Sequence, residues 1–172
     1  MSGPPVDGVV IREATASDAL AIGDFLRSAW QEAGPNAPGF AGATDDLIAE
    51  MAAADAVRAR IGGPERRTYL AWHDAEIVGF AATREVDRAV VELAGIVVRR
   101  PFTGRGIGSL LMEVVVARAA DTGYKTLVVR TEVTTSLARA FSEGMGFGDP
   151  AADVERVGDR AVGVWELTRR LA

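Results

Sequence analysis

A glycine-rich loop is the part of this 172-residue chain whose residue types and spacing could carry binding chemistry. Residues 103–108 read Thr-Gly-Arg-Gly-Ile-Gly, between an apolar run at 90–98 and an apolar pattern with helical spacing. The first turn of a helix has amide donors without intrahelical partners, and its dipole favours an anion. Glycines let a bulky group approach the backbone. We therefore predict a pyrophosphate site on the amides of this loop.

Two common nucleotide-binding motifs do not fit this loop. A Walker-type P-loop ends in Gly-Lys-Ser/Thr, and the lysine is absent here. A dinucleotide fingerprint has the spacing G-x-G-x-x-G, whereas Gly104, Gly106 and Gly108 give G-x-G-x-G beyond the middle of the chain, with no second βαβ half. A plain strand-to-helix turn that binds no ligand remains an alternative.

The elements that must position the loop follow from the periodicity of apolar residues and from Gly and Pro breaks. We predict strands at 9–12, 68–72, 77–83, 90–98, 126–130 and 162–168, and helices after Thr15, from Thr44 to residue 61, from Ile107 to Gly123 and at 136–145. Residues 31–43 are rich in Gly and Pro and predict a long loop. Strand–helix–strand order in the middle of the chain indicates a partly parallel sheet.

Composition excludes several classes of protein. The length fits one domain, 1–172, of which we expect residues 1–8 to be disordered. A net charge of -5 argues against nucleic-acid binding. With no cysteine and one histidine, we expect no metal site of the zinc type. No apolar run is long enough to span a bilayer, and no signal pattern is visible, so we expect a cytoplasmic protein without a membrane partner.

The loop together with its surroundings resembles the GNAT superfamily of N-acetyltransferases. The family's loop reads Gln/Arg-x-x-Gly-x-Gly/Ala, and residues 103–108 match it apart from Thr103. A strand, a helix and then Gly146-Phe147 match a later family segment, and residues 10–15 and 76–80 look like the family's first strand and second hairpin. The resemblance covers roughly residues 9–168. It implies an α/β fold, with a mixed, mostly antiparallel sheet, a splayed central parallel strand pair and flanking helices.

The resemblance also implies acetyl-CoA as acyl donor and assigns residues to it. Backbone groups of Ile96, Val97 and Val98 would face the pantetheine arm like an added strand. The pyrophosphate would lie among Thr103, Gly104, Arg105, Gly106, Ile107, Gly108 and Ser109. Residues of the later helix, Thr135, Ala138 and Phe141, would line the lower pantetheine and the adenosine side.

The catalytic residues are expected at two positions. Glu92 matches a glutamate that acts as general base in several family members, and its alternative role is an ion-pair partner of an arginine or a solvated strand residue. Ser142 stands where the family commonly has a tyrosine that protonates the leaving thiolate, and its alternative is a helix-surface serine. Thr135 stands where the family commonly has asparagine. Both departures weaken the case for the usual acid.

The function implied is N-acetylation of a primary amine of a small molecule or peptide by direct attack in a ternary complex. The alternative is a GNAT-like module that binds or senses CoA with little turnover. The acceptor stays open between polyamine, aminoglycoside, amino acid and protein N-terminus. We expect a homodimer by analogy with the fold alone.

Overall fold

The computed structural model describes residues 3–33, 43–132 and 136–172 and forms one seven-stranded sheet. The strands are β1 (Val10–Glu13), β2 (Arg66–His73), β3 (Glu76–Glu85), β4 (Val90–Val98), β5 (Thr126–Glu132), β6 (Gly148–Val157) and β7 (Arg160–Arg170). Their order across the sheet is β1-β2-β3-β4-β5-β7-β6. Every neighbouring pair is antiparallel except β4 and β5, which are parallel. The mixed, mostly antiparallel sheet predicted from the sequence is confirmed.

Helices cover both faces of the sheet. They are α1 (Ala19–Ala33), α2 (Asp45–Met51), α3 (Ala54–Ile61), α4 (Ile107–Thr122) and α5 (Ser136–Gly144). One core cluster joins α4 to the sheet, and a second joins α1, α2 and α3 to the other face. Side chains along β2 point alternately to the two faces of the sheet, so Tyr69 and Ala71 belong to the cluster under α4 and Leu70 belongs to the cluster under α1.

Local sequence signals set the ends of two helices. α1 follows a 3-10 turn at Ala16–Asp18, where the amide of Thr15 donates to the Asp18 carboxylate at 2.8 Å. Arg12 holds the same carboxylate with two bonds of 2.8 Å. α4 ends at Gly123, whose left-handed φ of 100° suits glycine. The helix predicted from Ile107 to Gly123 is therefore confirmed.

Two expectations about the elements are wrong, and one strand was not predicted. Residues 31–33 of the loop predicted at 31–43 belong to α1, and residues 34–42 lie outside the described residues. The single helix predicted up to residue 61 is two helices, because Ala53 has an extended backbone with ψ of 136°. Strand β6 was not predicted, since its residues from 149 to 156 are exposed and show no apolar alternation.

No helix in the described part of the chain is long and apolar enough to cross a membrane. Residues 3–8, in the segment expected to be disordered, lie in neither a helix nor a strand. The carbonyl of Pro4 accepts a hydrogen bond from Arg105 at 3.0 Å.

Candidate active site

The parallel pair opens into a cleft after four residue pairs. β4 pairs with β5 from Val90 opposite Thr126 to Leu93 opposite Val129, and no further. On its other edge β4 stays paired with β3 as far as Val98. We call the gap between residues 94–98 and residues 130–132 the split.

A β-bulge causes the split. Thr83 pairs with Leu93 and Ala82 with Gly95, so Ala94 is an extra residue in β4. A bulge bends its strand and increases the local twist, which turns β4 away from β5. It also shifts the alternation of faces, because Leu93 and Ile96, three positions apart, both contact the α4 cluster.

Among the described residues, no strand pairs with the edge of β4 that faces the split. The Arg99 amide donates to the Val78 carbonyl of β3 at 2.9 Å. In an antiparallel pair, residues alternate between those that exchange bonds with the partner strand and those whose N–H and C=O point away. The backbone groups of Ile96 and Val98 therefore point away from β3, into the split, while those of Val97 point toward β3.

The glycine-rich loop lies where β4 leads into α4. The α4 ladder begins with the Leu110 amide, which donates to the Gly106 carbonyl at 3.0 Å, so the amides of Ile107, Gly108 and Ser109 precede it. Gly104 and Gly106 have φ of 70° and 87°, in the region that favours glycine. The loop thus presents helix amides at the mouth of the split, as an anion site requires.

Phe141 of α5 lies next to the first turn of α4. A Cβ built on Gly108 would lie 3.6 Å from Phe141 Cζ and 3.8 Å from Val98 Cγ2. A Cβ at position 108 would therefore be in ordinary van der Waals contact with both the ring and β4. Three of the residues expected at the cofactor, on β4, α4 and α5, are brought together here.

The arginines around the loop have protein partners. Arg105 Nε donates to the Pro4 carbonyl, and its guanidinium carbon lies 5.9 Å from the centre of the Phe102 ring. Arg99 donates to Glu32 Oε1 through Nε at 3.1 Å and Nη2 at 2.5 Å, and the bond to Glu32 raises the pKa of Arg99. Arg100 donates to the Glu32 carbonyl at 3.1 Å. This cluster fixes the segment before the loop to the end of α1.

Glu92 is buried between two guanidinium groups. Its side chain is 6% exposed, and Oε2 accepts from Arg84 at 2.5 Å while Oε1 accepts from Arg130 at 2.6 Å. Arg130 also donates to Glu166 at 2.8 Å. Burial works to lower the pKa of Arg130, but the two carboxylates outweigh it and raise that pKa. The ion-pair role foreseen as an alternative for Glu92 is therefore present, and each carboxylate oxygen keeps a further lone-pair direction.

Ser142 is not a surface residue. It is 2% exposed, and its hydroxyl donates to the Ala138 carbonyl at 3.0 Å, one turn back along α5. The expected alternative of a helix-surface serine is thus wrong. The hydroxyl proton is engaged within the helix. Thr135 lies outside the described residues.

The two tyrosines lie outside the segments 94–98 and 130–132 that border the split. Tyr69 is 2% exposed within the α4 cluster, and burial raises its pKa. The Tyr124 hydroxyl, before the start of β5, donates to Glu85 at 2.5 Å, and this bond raises the pKa of Tyr124 to about 12. A hydroxyl that holds its proton this tightly is a weak acid.

Comparison with known proteins agrees with this geometry. The sequence model described as the acetyltransferase (GNAT) family matches residues 26–147. The chain belongs to the GNAT acetyltransferase family. The match spans β4, the glycine-rich loop, α4, β5 and α5, so this GNAT chain carries the family's sequence pattern across the whole split. No curated protein sequence matches the chain.

Solved structures share the fold at low sequence identity. The PaiA N-acetyltransferase from Thermoplasma acidophilum, in complex with coenzyme A, aligns with a TM-score of 0.72 and 15% identity over 95% of this chain and 99% of its own. The ribosomal-protein-S18-alanine N-acetyltransferase from Escherichia coli aligns at 0.71, with 16% identity over 95% and 94%. A GNAT family acetyltransferase from Elizabethkingia anophelis with acetyl-CoA bound aligns at 0.62, with 21% identity over 96% and 100%.

Sequence reasoning missed the arginines next to Glu92. Arg84 lies opposite Glu92 on β3, and Arg130 lies opposite Glu166 on β7. Since Glu92 pairs with Val128, Arg130 is two residues further along β5, so the four side chains form a diagonal row across the sheet. Only the register of four strands brings them together. We name this set, Arg84, Glu92, Arg130 and Glu166, the charged row.

Proposed function

We propose that this GNAT-family chain transfers the acetyl group of acetyl-CoA to a primary amine by direct attack in a ternary complex. One observation carries the proposal: the edge of β4 that has no strand partner among the described residues ends next to the uncapped first turn of α4, where Val98 and Gly108 are neighbours. An extended amide chain that ends in a pyrophosphate fits both the edge of β4 and the first turn of α4. Its amides can pair with a strand edge, and its phosphates can bind to the amides of a helix N-terminus.

In this proposal the donor lies along the split. The backbone groups of Ile96 and Val98 hold the pantetheine arm, and the pyrophosphate sits on the loop of residues 103–108 and Ser109. Ala138 and Phe141 line the side formed by α5. Arg105 reaches the phosphates after exchanging its bond to Pro4 for a charge-assisted one, which is stronger than a bond to a neutral carbonyl.

The chemistry requires a neutral amine. Its nitrogen lone pair attacks the thioester carbonyl carbon, the carbon–sulfur bond breaks, and the amine loses one proton. We propose Glu92 as the acceptor of that proton, directly or through water, by the lone pairs not used by Arg84 and Arg130. A backbone amide on the free edge near Ile96 donates to the tetrahedral oxyanion.

The case for a catalytic role is weaker for Ser142 than for Glu92. Its hydroxyl must leave the Ala138 carbonyl before it can donate to a thiolate. We therefore propose that the thiolate of CoA departs without a proton from this serine, and that water protonates it later.

Thiol release with an amine panel tests the proposal. Acetyl-CoA should bind in calorimetry, and free CoA should appear only when an accepted amine is present. Glu92→Gln should lower kcat by about 100-fold or more, in the range of general-base catalysis. Glu113→Gln is the matched control, because Glu113 is exposed on α4 away from the charged row, and it should keep full activity. No binding of acetyl-CoA at millimolar concentration would reject the proposal.

A domain that binds CoA without turnover is the second candidate. The observation that favours it is the engagement of both Glu92 oxygens by guanidinium groups, which leaves the base less free to take a proton. In that case acetyl-CoA binds, yet no amine in the panel releases thiol above the rate of hydrolysis. We expect a homodimer from the fold by analogy, and light scattering of the purified chain measures it.

A further inference from the structure

The charged row alternates in sign across four strands. Positive Arg84, negative Glu92, positive Arg130 and negative Glu166 are joined by bonds of 2.5, 2.6 and 2.8 Å. Glu92 lies in the last two residue pairs of the β4–β5 ladder, next to the bulge, and Arg130 lies on β5 just beyond the end of that ladder, at the border of the split. An acceptor that presents its amine to Glu92 must therefore lie against guanidinium groups as well.

Arg84 has binding capacity to spare. Within the described chain its guanidinium makes one hydrogen bond, to Glu92, although it carries five N–H donors. Its side chain is 47% exposed, compared with 28% for Arg130, which already bonds to two carboxylates. An anionic group of a ligand thus has free donors at Arg84, directly beside the nominated base.

We infer that the acceptor is an amine that carries its own carboxylate, and specifically an α-amino acid, with its amino group at Glu92 and its carboxylate at Arg84. This inference rests on the proposed acetyl transfer. In an α-amino acid the nitrogen and the carboxyl carbon are about 2.5 Å apart. The free donors of Arg84 and the unused lone pairs of Glu92 belong to side chains that already touch, with Nη2 and Oε2 2.5 Å apart, so one small zwitterion can reach both side chains. A zwitterion laid across this ion pair places each of its charges opposite a complementary one.

The same charges work against polycationic acceptors. A polyamine or aminoglycoside brings several ammonium groups to a surface where two guanidiniums already bond to the base. The ammonium groups of such a ligand are repelled by the guanidinium groups of Arg84 and Arg130, whereas an amino acid zwitterion carries no net charge. A protein N-terminus resembles an amino acid amide, since its carboxyl group is consumed in the peptide bond, and it leaves the donors of Arg84 unused.

A substrate pair isolates the carboxylate. L-α-amino acids are compared with their own α-carboxamides, which keep the amine and the side chain but lose the negative charge. Hydrogen bonds to charged groups have a large effect, so kcat/KM should fall by roughly 10- to 100-fold from acid to amide. Diamines represent the polycationic acceptors, and their kcat/KM should be lower than that of the amino acids. A diamine or a carboxamide that exceeds every amino acid overturns the inference.

Arg84→Gln then identifies the residue responsible. It should bring the acid-to-amide ratio close to one by lowering kcat/KM for the acids much more than for the amides. Arg84→Lys keeps the charge and should restore part of the ratio. Arg88→Gln removes the same charge from an exposed arginine of the β3–β4 turn and should leave the ratio unchanged. If Arg84→Gln lowers acids and amides equally, Arg84 acts on Glu92 alone and the inference is wrong.

Calorimetry separates this inference from the proposed reaction. Amino acid is titrated into the protein saturated with CoA, so binding is read without turnover. Binding that Arg84→Gln weakens by about tenfold, with no thiol release from acetyl-CoA, supports the recognition and rejects the transfer. Thiol release with other amines, but neither binding nor turnover of amino acids, supports the transfer and rejects the recognition.

Discussion

Gly79 of β3 lies under the first turns of α4, and replacing it by alanine tests whether this contact positions the glycine-rich loop. A Cβ at position 79 would meet Leu111 Cδ1 at 2.9 Å and Ile107 Cγ2 at 3.0 Å. Both atoms belong to buried side chains of α4. Since carbon atoms in contact prefer about 3.5–4.0 Å, these buried side chains, or the turns of α4 that carry them, must shift by roughly half an ångström or more.

The size of the effect follows from two opposing contributions. Overpacking of a well-packed core costs about 1–3 kcal/mol. Alanine offsets about 0.5–1 kcal/mol of this, because it loses less backbone freedom than glycine on folding. We expect Gly79→Ala to lower the free energy of unfolding by about 0.5–2 kcal/mol. The displaced amides of α4 should weaken CoA binding by roughly fivefold, part of the value of one bond to a charged group.

Urea unfolding and calorimetry with CoA measure the two effects. Gly148→Ala is the control, because its strand glycine has nothing within 4 Å of the added Cβ, and both quantities should stay near wild type or rise slightly. If Gly79→Ala loses stability but binds CoA as tightly as wild type, the loop does not depend on how α4 docks against β3. If it loses no stability, the packing argument itself fails.

Three further predictions concern single residues. The hydrogen bonds from Arg12 lower the pKa of Asp18 from its ordinary 3.8 to about 2. The Asp18 carboxylate should therefore stabilise the fold by about 2 kcal/mol above about pH 4, and this contribution should be lost as the pH falls to 2. Asp18→Asn should remove this pH dependence from the free energy of unfolding measured with urea. Ser142→Ala should lower kcat by less than about tenfold in the thiol-release assay, and a loss of 100-fold would instead make the serine a general acid. Gly106→Ala forces alanine to a φ of 87°, so it should lower the free energy of unfolding by about 1–2 kcal/mol and weaken CoA binding, and unchanged values of both would exclude a strained loop.

Elements with a strong apolar pattern were predictable from the sequence. β4 has the predicted bounds, because the run from Val90 to Val98 is broken only by the polar Glu92 and one glycine. α4 ends at a glycine stop. β6 carried no such signal, because it is an exposed edge strand with Asp149, Pro150 and Asp153 among its residues. Alanines at the break between α2 and α3 favour helix locally, so only tertiary packing could end α2 there.

The candidate site was predictable in its backbone and not in its side chains. The loop and the free edge of β4 depend on a few glycines and one strand, which are contiguous in the sequence. The setting of Glu92 depends on register, because Arg84 reaches it from β3 and Arg130 from β5. No local pattern encodes that pairing. The sequence likewise shows a serine at position 142, but it does not show that the hydroxyl donates to a carbonyl of the preceding helical turn.

The short parallel pairing between β4 and β5 affects how the protein unfolds locally. Four residue pairs between β4 and β5, together with α4, join an antiparallel half made of β1 to β4 to another made of β5 to β7. Each half keeps its own ladder, so the seam between them is the natural border of two cooperative unfolding units. A ligand bound in the split would contact both units and would stabilise the state in which both of them are folded. Hydrogen exchange should therefore slow on both sides of the seam when CoA binds, including at amides far from the ligand, and the two halves should then exchange as one.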